Sequence, residues 1–489
     1  MSRSRLFVSL VGAFALAACT SDRPNPVSPT ISPSASPSIA SAPVDRYIVL
    51  ANNGGFGRGF EAGVAASGGT IEMLHSGAGI AVVRGVDDAG AASIARLGGV
   101  ADVQADEPFS LDVPVAAVEA DASSVGDVTP SSQANPTTAS RYAWQWNMRL
   151  IRANTAWAAG KLGSSAVTVA ILDTGIDYDA PDLNGLVDLS RSASFVPSDD
   201  AISTTYFPTR NKISDYNGHG TNVATQVSSK ALALAGVTSR TTLIGVKVLG
   251  ANGGGTFGGV LSGVLFAADQ GADVANMSLG GGFAKAGNGR FVSLINRVFN
   301  YANKQGMLIV VAAGNSAADL DHDGNFLPTY CTQQHVVCVS SVGPPTATSN
   351  PDTPAYYTNF GRSAITVAAP GGNADAANGF TVSNWPWGPG IASWVWSFCS
   401  KTRIAGFTPA GVPVLTACVA GNRLSGYIGT SQASPHVAGL AALVIAEQGA
   451  GSPSQIKSVI VKSAVDLGQP GTDPFYGRGR IDVASAVGL

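Results

Sequence analysis

Apolar runs of strand length recur through the second half of the chain. One of them, AVTVAIL, ends on Asp173, and another covers residues 307 to 313. Continuous apolar runs are typical of strands buried on both faces of a parallel sheet, and helical patterns begin after His219 and near Thr430. The pattern therefore predicts an α/β fold with a mainly parallel sheet between helices.

A different order of elements is predicted for residues 45 to 110. Short β-type runs and two Ala-rich helical segments follow one another there as strand, helix, strand, strand, helix, strand. This order is typical of a ferredoxin-like α+β unit. We expect a small separate domain ahead of the larger one.

Composition limits the classes of function. The 489 residues are 45% hydrophobic and only 12% charged, so the chain can build a sizeable core and more than one domain. The formal net charge is −3, and the basic residues form no long run. The sequence therefore gives no support for a nucleic-acid partner.

The N-terminus has the pattern of an export signal. Arg3 and Arg5 precede an apolar stretch, residues 6 to 18, that is too short for a bilayer core of about 30 Å. We predict a signal peptide at residues 1 to 18. The LAAC sequence resembles a bacterial lipobox, which would make Cys19 the lipidated first residue and residues 19 to 44 a Pro- and Ser-rich tether. Ordinary signal cleavage beside an unrelated cysteine is the alternative; both predict export, with a membrane contact only through a lipid.

Ser431 lies where a helical pattern begins, in the segment GTSQASPHVAG. A helix N-terminus stabilises an oxyanion formed beside it, although a lone serine in this place is more often a helix cap. Two other residues favour the interpretation of Ser431 as a nucleophile. Asp173 ends a buried strand, and His219 stands between two glycines, so the chain also supplies an acid and a base.

The three side chains suit acyl transfer. A serine hydroxyl is barely ionised at neutral pH, so Ser431 needs a base, and histidine titrates in the useful range. Asp173 would orient His219 and stabilise its charged form. Asn315 follows the strand at residues 307 to 313, at the edge where ligands bind in parallel sheets. A turn-capping role for Asp173 and a turn role for Asn315 are the alternatives.

The motifs DTGID, NGHGT, SLGGG, VAAGN and GTSQASPHVAG, in this order, resemble those of the subtilisin-like serine proteases, the subtilases of peptidase family S8. An α/β-hydrolase would need GxSxG and the reverse order of residues, and a sedolisin-type peptidase has Glu in place of the histidine. The resemblance covers residues 141 to 489. It implies a secreted serine endopeptidase that forms an acyl-enzyme on Ser431 without a cofactor, with Asn315 as the side-chain donor of the oxyanion hole.

By the same resemblance, small residues line the substrate cleft and leave their backbone groups available to an extended peptide. Ordinary loops are the alternative. The expected substrate-binding residues are Gly253, Gly254, Gly255, Ser278, Leu279, Gly280, Ala313 and Gly314.

The domain at residues 45 to 110 resembles the inhibitor I9-type propeptide of subtilases, which serves as folding template and product-like inhibitor. Residues 111 to 140, rich in Pro, Ser, Thr and Ala, are predicted to be an exposed linker that contains the maturation site. We therefore expect a self-processing zymogen. We also expect the protein to be a monomer. A permanently attached accessory domain is the alternative.

Four cysteines remain besides Cys19, an even number in an oxidising compartment. Of the three connectivities, the simplest joins neighbours in the sequence. It pairs Cys331 with Cys338 and Cys399 with Cys418.

Two features depart from a minimal subtilase. Gln432 follows the nucleophile where the family usually has Met, and residues 371 to 428 form an insertion. We predict a hairpin there whose tryptophans pack together, with a binding patch as the alternative. These tryptophans are Trp385, Trp387, Trp394 and Trp396.

The segment DLDHDGN resembles the start of a calcium loop, because Asp319, Asp321 and Asp323 alternate before a glycine. The Glu expected at the twelfth loop position is absent, since residue 330 is Tyr. Structural calcium and a solvated acidic loop are both compatible with this pattern. For the whole chain, an inactive subtilase-like binding module and an esterase with the same triad are the alternative functions.

Overall fold

The computed structural model describes residues 45–111, 118–121, 132–280, 282–284, 289–322, 324, 326–328, 330–346, 349–374, 393–420, 423–449 and 451–489. The predicted signal peptide, Cys19 and the tether lie outside these residues, as do Asp323, Trp385 and Trp387. No helix in the described ranges is both long enough and apolar enough to cross a bilayer.

The first described domain has the predicted order of strands and helices. Its four strands form an antiparallel sheet in the order β2-β3-β1-β4, and the ferredoxin-like prediction is confirmed. Its elements are β1 (Arg46–Ala51), α1 (Phe60–Ala66), β2 (Thr70–His75), β3 (Ile80–Arg84), α2 (Asp88–Ile94) and β4 (Val100–Ala105).

A seven-stranded parallel sheet forms the centre of the larger domain, in the order β16-β15-β13-β11-β7-β9-β8. Alternate residues of each strand face opposite sides, and both sides are covered, which explains the continuous apolar runs in the sequence. The strands are β7 (Thr168–Asp173), β8 (Ala193–Ser194), β9 (Thr242–Lys247), β11 (Val274–Met277), β13 (Leu308–Ala312), β15 (Val336–Val342) and β16 (Val367–Pro370).

Two hydrophobic cores lie on the two faces of this sheet. Val169 and Ile171 of β7 belong to one core, and Ala170 and Leu172 belong to the other. The first core contains residues of α3 (Trp146–Leu150), α4 (Ala153–Ala158), α6 (His219–Val227), α9 (Thr430–Gln448), α10 (Pro453–Ser463) and α11 (Val483–Ala486); the second contains residues of α7 (Phe257–Asp269) and α8 (Gly289–Lys304). The predicted α/β fold, with helices on both faces, is confirmed. A further helix, α5 (Pro197–Tyr206), follows β8.

Four small sheets complete the described structure. They contain β5 (Pro108–Ser110) with β10 (Gly254–Thr256), β12 (Gly282–Ala284) with β14 (Phe326–Pro328), β18 (Ile404–Phe407) with β19 (Pro413–Leu415), and the three strands β17 (Val395–Phe398), β20 (Arg423–Tyr427) and β6 (Val118–Asp121).

The exposed linker predicted for residues 111 to 140 is wrong for part of its length. Strand β6 pairs with β20, and Pro136 and Ala139 are buried against the larger domain. Periodicity over a few residues does not reveal pairing with a strand some 300 positions away, and Pro, Ser and Ala are compatible with an edge strand.

The inserted segment contains a disulfide of its own and packs on the rest of the domain through its tryptophans. Disulfides join Cys331 to Cys338 and Cys399 to Cys418, as predicted. Trp394 and Trp396 are 3% and 4% exposed, and the ring of Trp396 lies 5.2 Å from that of Trp144. Aromatic packing, rather than an exposed binding patch, is confirmed for these two tryptophans.

Candidate active site

The three predicted catalytic side chains lie at the ends of buried elements. Asp173 is the last residue of β7, His219 is the first residue of α6, and Ser431 is the second residue of α9. Asn315 follows β13 at the same edge of the sheet. The fold therefore gathers four residues that are spread over more than 250 positions.

Asp173 and His219 form a buried hydrogen bond. The Oδ1 atom of Asp173 lies 2.8 Å from Nδ1 of His219 and also accepts the backbone N–H of Thr174 at 2.7 Å. A carboxylate at Nδ1 keeps the proton there, so Nε2 carries the lone pair. Burial lowers the pKa of His219, but the charge and hydrogen bond of Asp173, with the charge of Asp215, raise this pKa above its ordinary value overall.

Asp215 holds the loop that presents His219. Its carboxylate accepts five hydrogen bonds, among them those from the Thr174 hydroxyl at 2.9 Å, the Gly218 N–H at 2.8 Å and the Thr221 hydroxyl at 2.6 Å. Burial raises the pKa of Asp215, and these donors oppose the rise. No motif considered in the sequence assigns this role to Asp215, although a carboxylate just before a Gly-rich turn is a usable signal.

The hydroxyl of Ser431 donates to the backbone oxygen of Ser278 at 3.1 Å. The Nε2 atom of His219 is buried and has no hydrogen-bond partner within the described ranges. Next to His219 and Ser431, a hydrogen bond links α6 to α9. Nε2 of Gln432 in α9 lies 3.3 Å from Oδ1 of Asn222 in α6. The predicted base and the predicted nucleophile thus lie at the starts of two neighbouring helices, and Nε2 of His219 is the atom that can accept a proton.

Ser278 anchors the first turn of α9, the helix that carries Ser431. Pro435 has no N–H for the carbonyl of Ser431, which instead accepts the Ser278 hydroxyl at 2.7 Å; the same hydroxyl lies 2.8 Å from that of Ser434. Leu279 is 1% exposed and belongs to the core under α7 and α8. Burial of the strand end therefore turns both side chains inward. The expectation that these residues bind substrate through their backbone groups stays a prediction.

The side chain of Asn315 is held in one orientation. Its Oδ1 accepts the N–H and the hydroxyl of Thr430 at 2.8 and 2.9 Å, which makes Nδ2 the end that can donate to an oxyanion. Gly314 has a φ of 98°, a conformation that favours glycine, and its N–H donates to the same hydroxyl at 3.0 Å. The backbone N–H of Ser431, in the first turn of α9, is a second donor at this point.

Asn359 fixes the loop around Asn315, a role that the sequence did not predict. It accepts the N–H groups of Ser316 and Ala318 at 3.0 and 2.9 Å and donates to the carbonyl of Ala313 at 2.9 Å. These hydrogen bonds hold the loop that contains Ala313 and Gly314 in one conformation. Nothing in the local sequence around Asn359 predicts these contacts, which depend on the tertiary fold.

The glycine-rich loop, residues 250 to 256, pairs with the segment that follows the first domain. Strand β5 runs antiparallel to β10, with Ser110 opposite Gly254, and the N–H of Leu111 donates to the carbonyl of Gly253 at 2.9 Å. Without side chains, the glycines leave their backbone groups accessible to a neighbouring strand. An extended chain segment is thus already bound where the sequence predicts that substrate binds.

Gln432, the departure from the family pattern, is 1% exposed and joins two helices. Asn222 in turn donates to the carbonyl of Val395 at 3.0 Å. We predict that Gln432→Met lowers the free energy of unfolding by about 1–3 kcal/mol, because it leaves the buried Oδ1 of Asn222 without a donor. Peptide hydrolysis should change little, since neither acid nor base is touched.

Urea unfolding of Gln432→Met in a Ser431→Ala background, which prevents self-digestion, measures this effect. The matched control is Gln334→Met at an exposed position. Equal unfolding midpoints for the two variants would contradict the prediction.

The acidic loop uses its carboxylates within the protein. Asp321 accepts the Ser363 hydroxyl at 2.5 Å, and Asp319 lies 2.9 Å from Nδ1 of His322. In the described part of the chain, no group of three His, Cys, Asp or Glu residues is arranged to hold a metal ion. The calcium prediction thus gains no support from these two residues.

Comparison with known proteins agrees with this geometry. A model of the subtilase family, Peptidase S8, matches residues 164–479. Thermitase from Thermoactinomyces vulgaris is 29% identical over 347 residues, which are 70% of this chain and 95% of that protein. Alkaline elastase YaB from Bacillus sp. (strain YaB) is 31% identical over 344 residues, 70% of each protein.

Solved structures share the fold. The epidermin leader peptide processing serine protease EpiP from Staphylococcus aureus aligns with a TM-score of 0.66 at 21% identity, covering 91% of this chain and 98% of that one. A lanthipeptide protease aligns with a TM-score of 0.54 at 26% identity, covering 71% and 94%. The chain therefore belongs to the subtilase family and is a subtilisin-like serine endopeptidase.

Proposed function

We propose that this endopeptidase is exported as a self-processing zymogen and hydrolyses peptide bonds through an acyl-enzyme on Ser431. The observation that carries the proposal is the buried hydrogen bond of 2.8 Å between Asp173 and His219, next to the helix start that bears Ser431. This arrangement supplies a nucleophile, a base and an orienting acid in one place.

Attack begins when Ser431 turns its hydroxyl from the carbonyl of Ser278 to Nε2 of His219. His219 takes the proton as Oγ bonds to the carbonyl carbon of the substrate, and Asp173 stabilises the resulting imidazolium without taking the proton itself. Burial strengthens this electrostatic pairing because water is excluded from it.

The negative charge then develops on the former carbonyl oxygen. Nδ2 of Asn315 and the N–H of Ser431 would donate to it, and both are fixed in advance, Asn315 by Thr430 and Ser431 by its helix. His219 next protonates the leaving amine. Water, activated by the same base, releases the second product and restores the Ser431 hydroxyl.

Contacts of the first domain support a propeptide role. Asp106 is 7% exposed, lies 3.2 Å from the guanidinium of Arg46 and accepts the N–H of Gly258 at 2.6 Å, so it caps the start of α7. Strand β5 then continues onto the glycine-rich loop. A domain that ends as a bound strand in this loop inhibits as a product does, and Gly253, Gly254 and Gly255 are proposed to bind substrate in the same way.

Export is supported by the N-terminal sequence and the two disulfides, which persist outside the cytoplasm. We propose that Cys19 anchors the precursor by a lipid. Self-processing would then release the mature enzyme from its anchored propeptide.

Expression of the full chain with Ser431→Ala tests this function. We expect the variant to accumulate as an uncut precursor that does not react with a fluorophosphonate, whereas the wild type loses its propeptide and is labelled. Normal maturation of Ser431→Ala would show that another protease processes the chain. Parallel assays with matched peptide and ester substrates distinguish an endopeptidase from an esterase.

A further inference from the structure

Strand β20 has two hydrogen-bonding edges. On one side, the carbonyl of Arg423 accepts the N–H of Cys399 at 2.9 Å, next to β17. Successive residues of a strand direct their N–H and C=O groups to opposite sides, so Leu424 and Gly426 direct theirs towards β6. There Leu424 stands opposite Ala120, and Gly426 stands opposite Val118.

The segment on this edge continues the strand that is bound at the glycine-rich loop. Leu111 pairs with Gly253, and only residues 112 to 117, which lie outside the described ranges, separate it from Val118. Seven residue steps of extended chain reach at most about 25 Å. One short stretch of chain therefore contacts both β10 and β20.

Both contact points adjoin the catalytic histidine. The ring of Tyr427, the last residue of β20, lies 6.0 Å from that of His219. The glycine-rich loop is tied to the histidine loop by Asn217, whose Nδ2 donates to the carbonyl of Ala251 at 3.0 Å. The edges of β10 and β20 that bind Leu111 and residues 118 to 121 thus both adjoin the site.

We propose that the edge of β20 formed by Leu424 and Gly426 binds the substrate chain on the C-terminal side of the scissile bond, by adding a strand. The inference rests on the proposed function, with residues 118 to 121 as the first occupant during self-processing. The edge recognises main-chain groups, so its ligand is an extended polypeptide with free N–H groups at alternate positions. Unfolded protein segments that continue well past the scissile bond are the substrates that this edge favours.

The inserted segment makes this edge rigid. Disulfide Cys399–Cys418 joins the end of β17 to the residues before β20, and Trp394 and Trp396 are buried beneath Gly426. Because this strand edge is already ordered, it loses little conformational entropy when a substrate binds.

A matched pair of proline variants tests the edge within the full chain. Ala120→Pro removes an N–H that faces β20, whereas Glu119→Pro removes one that faces away. We expect Ala120→Pro to slow self-processing about three- to tenfold, the effect of one lost hydrogen bond, and Glu119→Pro to leave the rate nearly unchanged. Equal rates for the two variants would overturn the proposal.

Internally quenched peptides test the edge in the mature enzyme. The sequence up to the scissile bond is kept constant, and the C-terminal side is lengthened from two to ten residues, with or without single backbone N-methyl groups. We expect kcat/KM to rise at least about tenfold with length and to fall at alternate N-methylated positions. Equal kcat/KM for short and long peptides would overturn the inference but leave the endopeptidase intact; absence of both processing and peptide cleavage would instead refute the proposed function.

Discussion

Replacement of His219 by Ala is expected to lower kcat for peptide hydrolysis by roughly a million-fold, the scale on which loss of the triad base acts in this family. The hydroxyl of Ser431 would then have no base in reach. His436, one turn further along α9, cannot substitute, because its Nδ1 donates to the carbonyl of Gln432 at 2.7 Å and its Nε2 lies 2.8 Å from Nδ2 of Asn147. Burial also lowers the pKa of His436 to about 4.

The measurement needs a chain freed of its propeptide. A metalloprotease that is later inhibited with EDTA can remove the propeptide from wild type and variant alike, after which hydrolysis of a quenched peptide is followed. His322→Ala, at a histidine side chain that is 82% exposed, is the matched control and should keep wild-type kcat. A His219→Ala enzyme that retains more than about one hundredth of wild-type kcat would refute the role of this base.

Asp173→Asn is expected to lower kcat by about ten thousand-fold while the fold is preserved. The carboxylate accepts the Nδ1 proton of His219 at 2.8 Å. An amide that donates its own N–H at this position would instead favour the other tautomer, with the proton on Nε2 and no lone pair for Ser431. The imidazolium of the transition state would also lose its counter-charge.

The pH profile gives a second readout of the same substitution. Activity requires neutral His219, so kcat/KM rises as the pH rises through the pKa of this group. Burial lowers that pKa, and Asp173 is the largest of the influences that raise it. Asp173→Asn should therefore move the acid limb of the profile to lower pH.

Asp179→Asn serves as the matched control for this prediction. Its carboxylate is 46% exposed and pairs with Arg210 at 3.0 Å, away from the histidine. This variant should keep both the wild-type kcat and the wild-type acid limb. A small loss of kcat in Asp173→Asn, or an unshifted limb, would contradict the orienting role of Asp173.

Much of the site could be predicted because its chemistry is local. Asp173 ends an apolar run, His219 stands between glycines, and Ser431 begins a helical pattern, so each position has a signal within about ten residues. The first domain was equally predictable, since its strands and helices follow short-range periodicity. The cysteine pairs were neighbours in sequence, which made the simplest pairing correct.

Other features depend on contacts between distant residues. The loop around Asn315 is held by Asn359, and Ser278 is turned under α9 because Pro435 leaves the carbonyl of Ser431 to be satisfied. Neither contact has a periodic signature. The same is true of β6, which a Pro- and Ser-rich composition marks only as linker.

The sequence by itself thus determined the chemistry and the class of fold, because residue type and local periodicity dictate which groups can react and which elements can be buried. Only the tertiary structure decided the supports of that chemistry: the carboxylate of Asp215 beneath the histidine loop, the inward turn of Ser278, and the pairing of β6 with β20. The physical reason is that a buried polar group must find a partner wherever the fold brings one, and strand register is fixed across distances that local sequence does not encode.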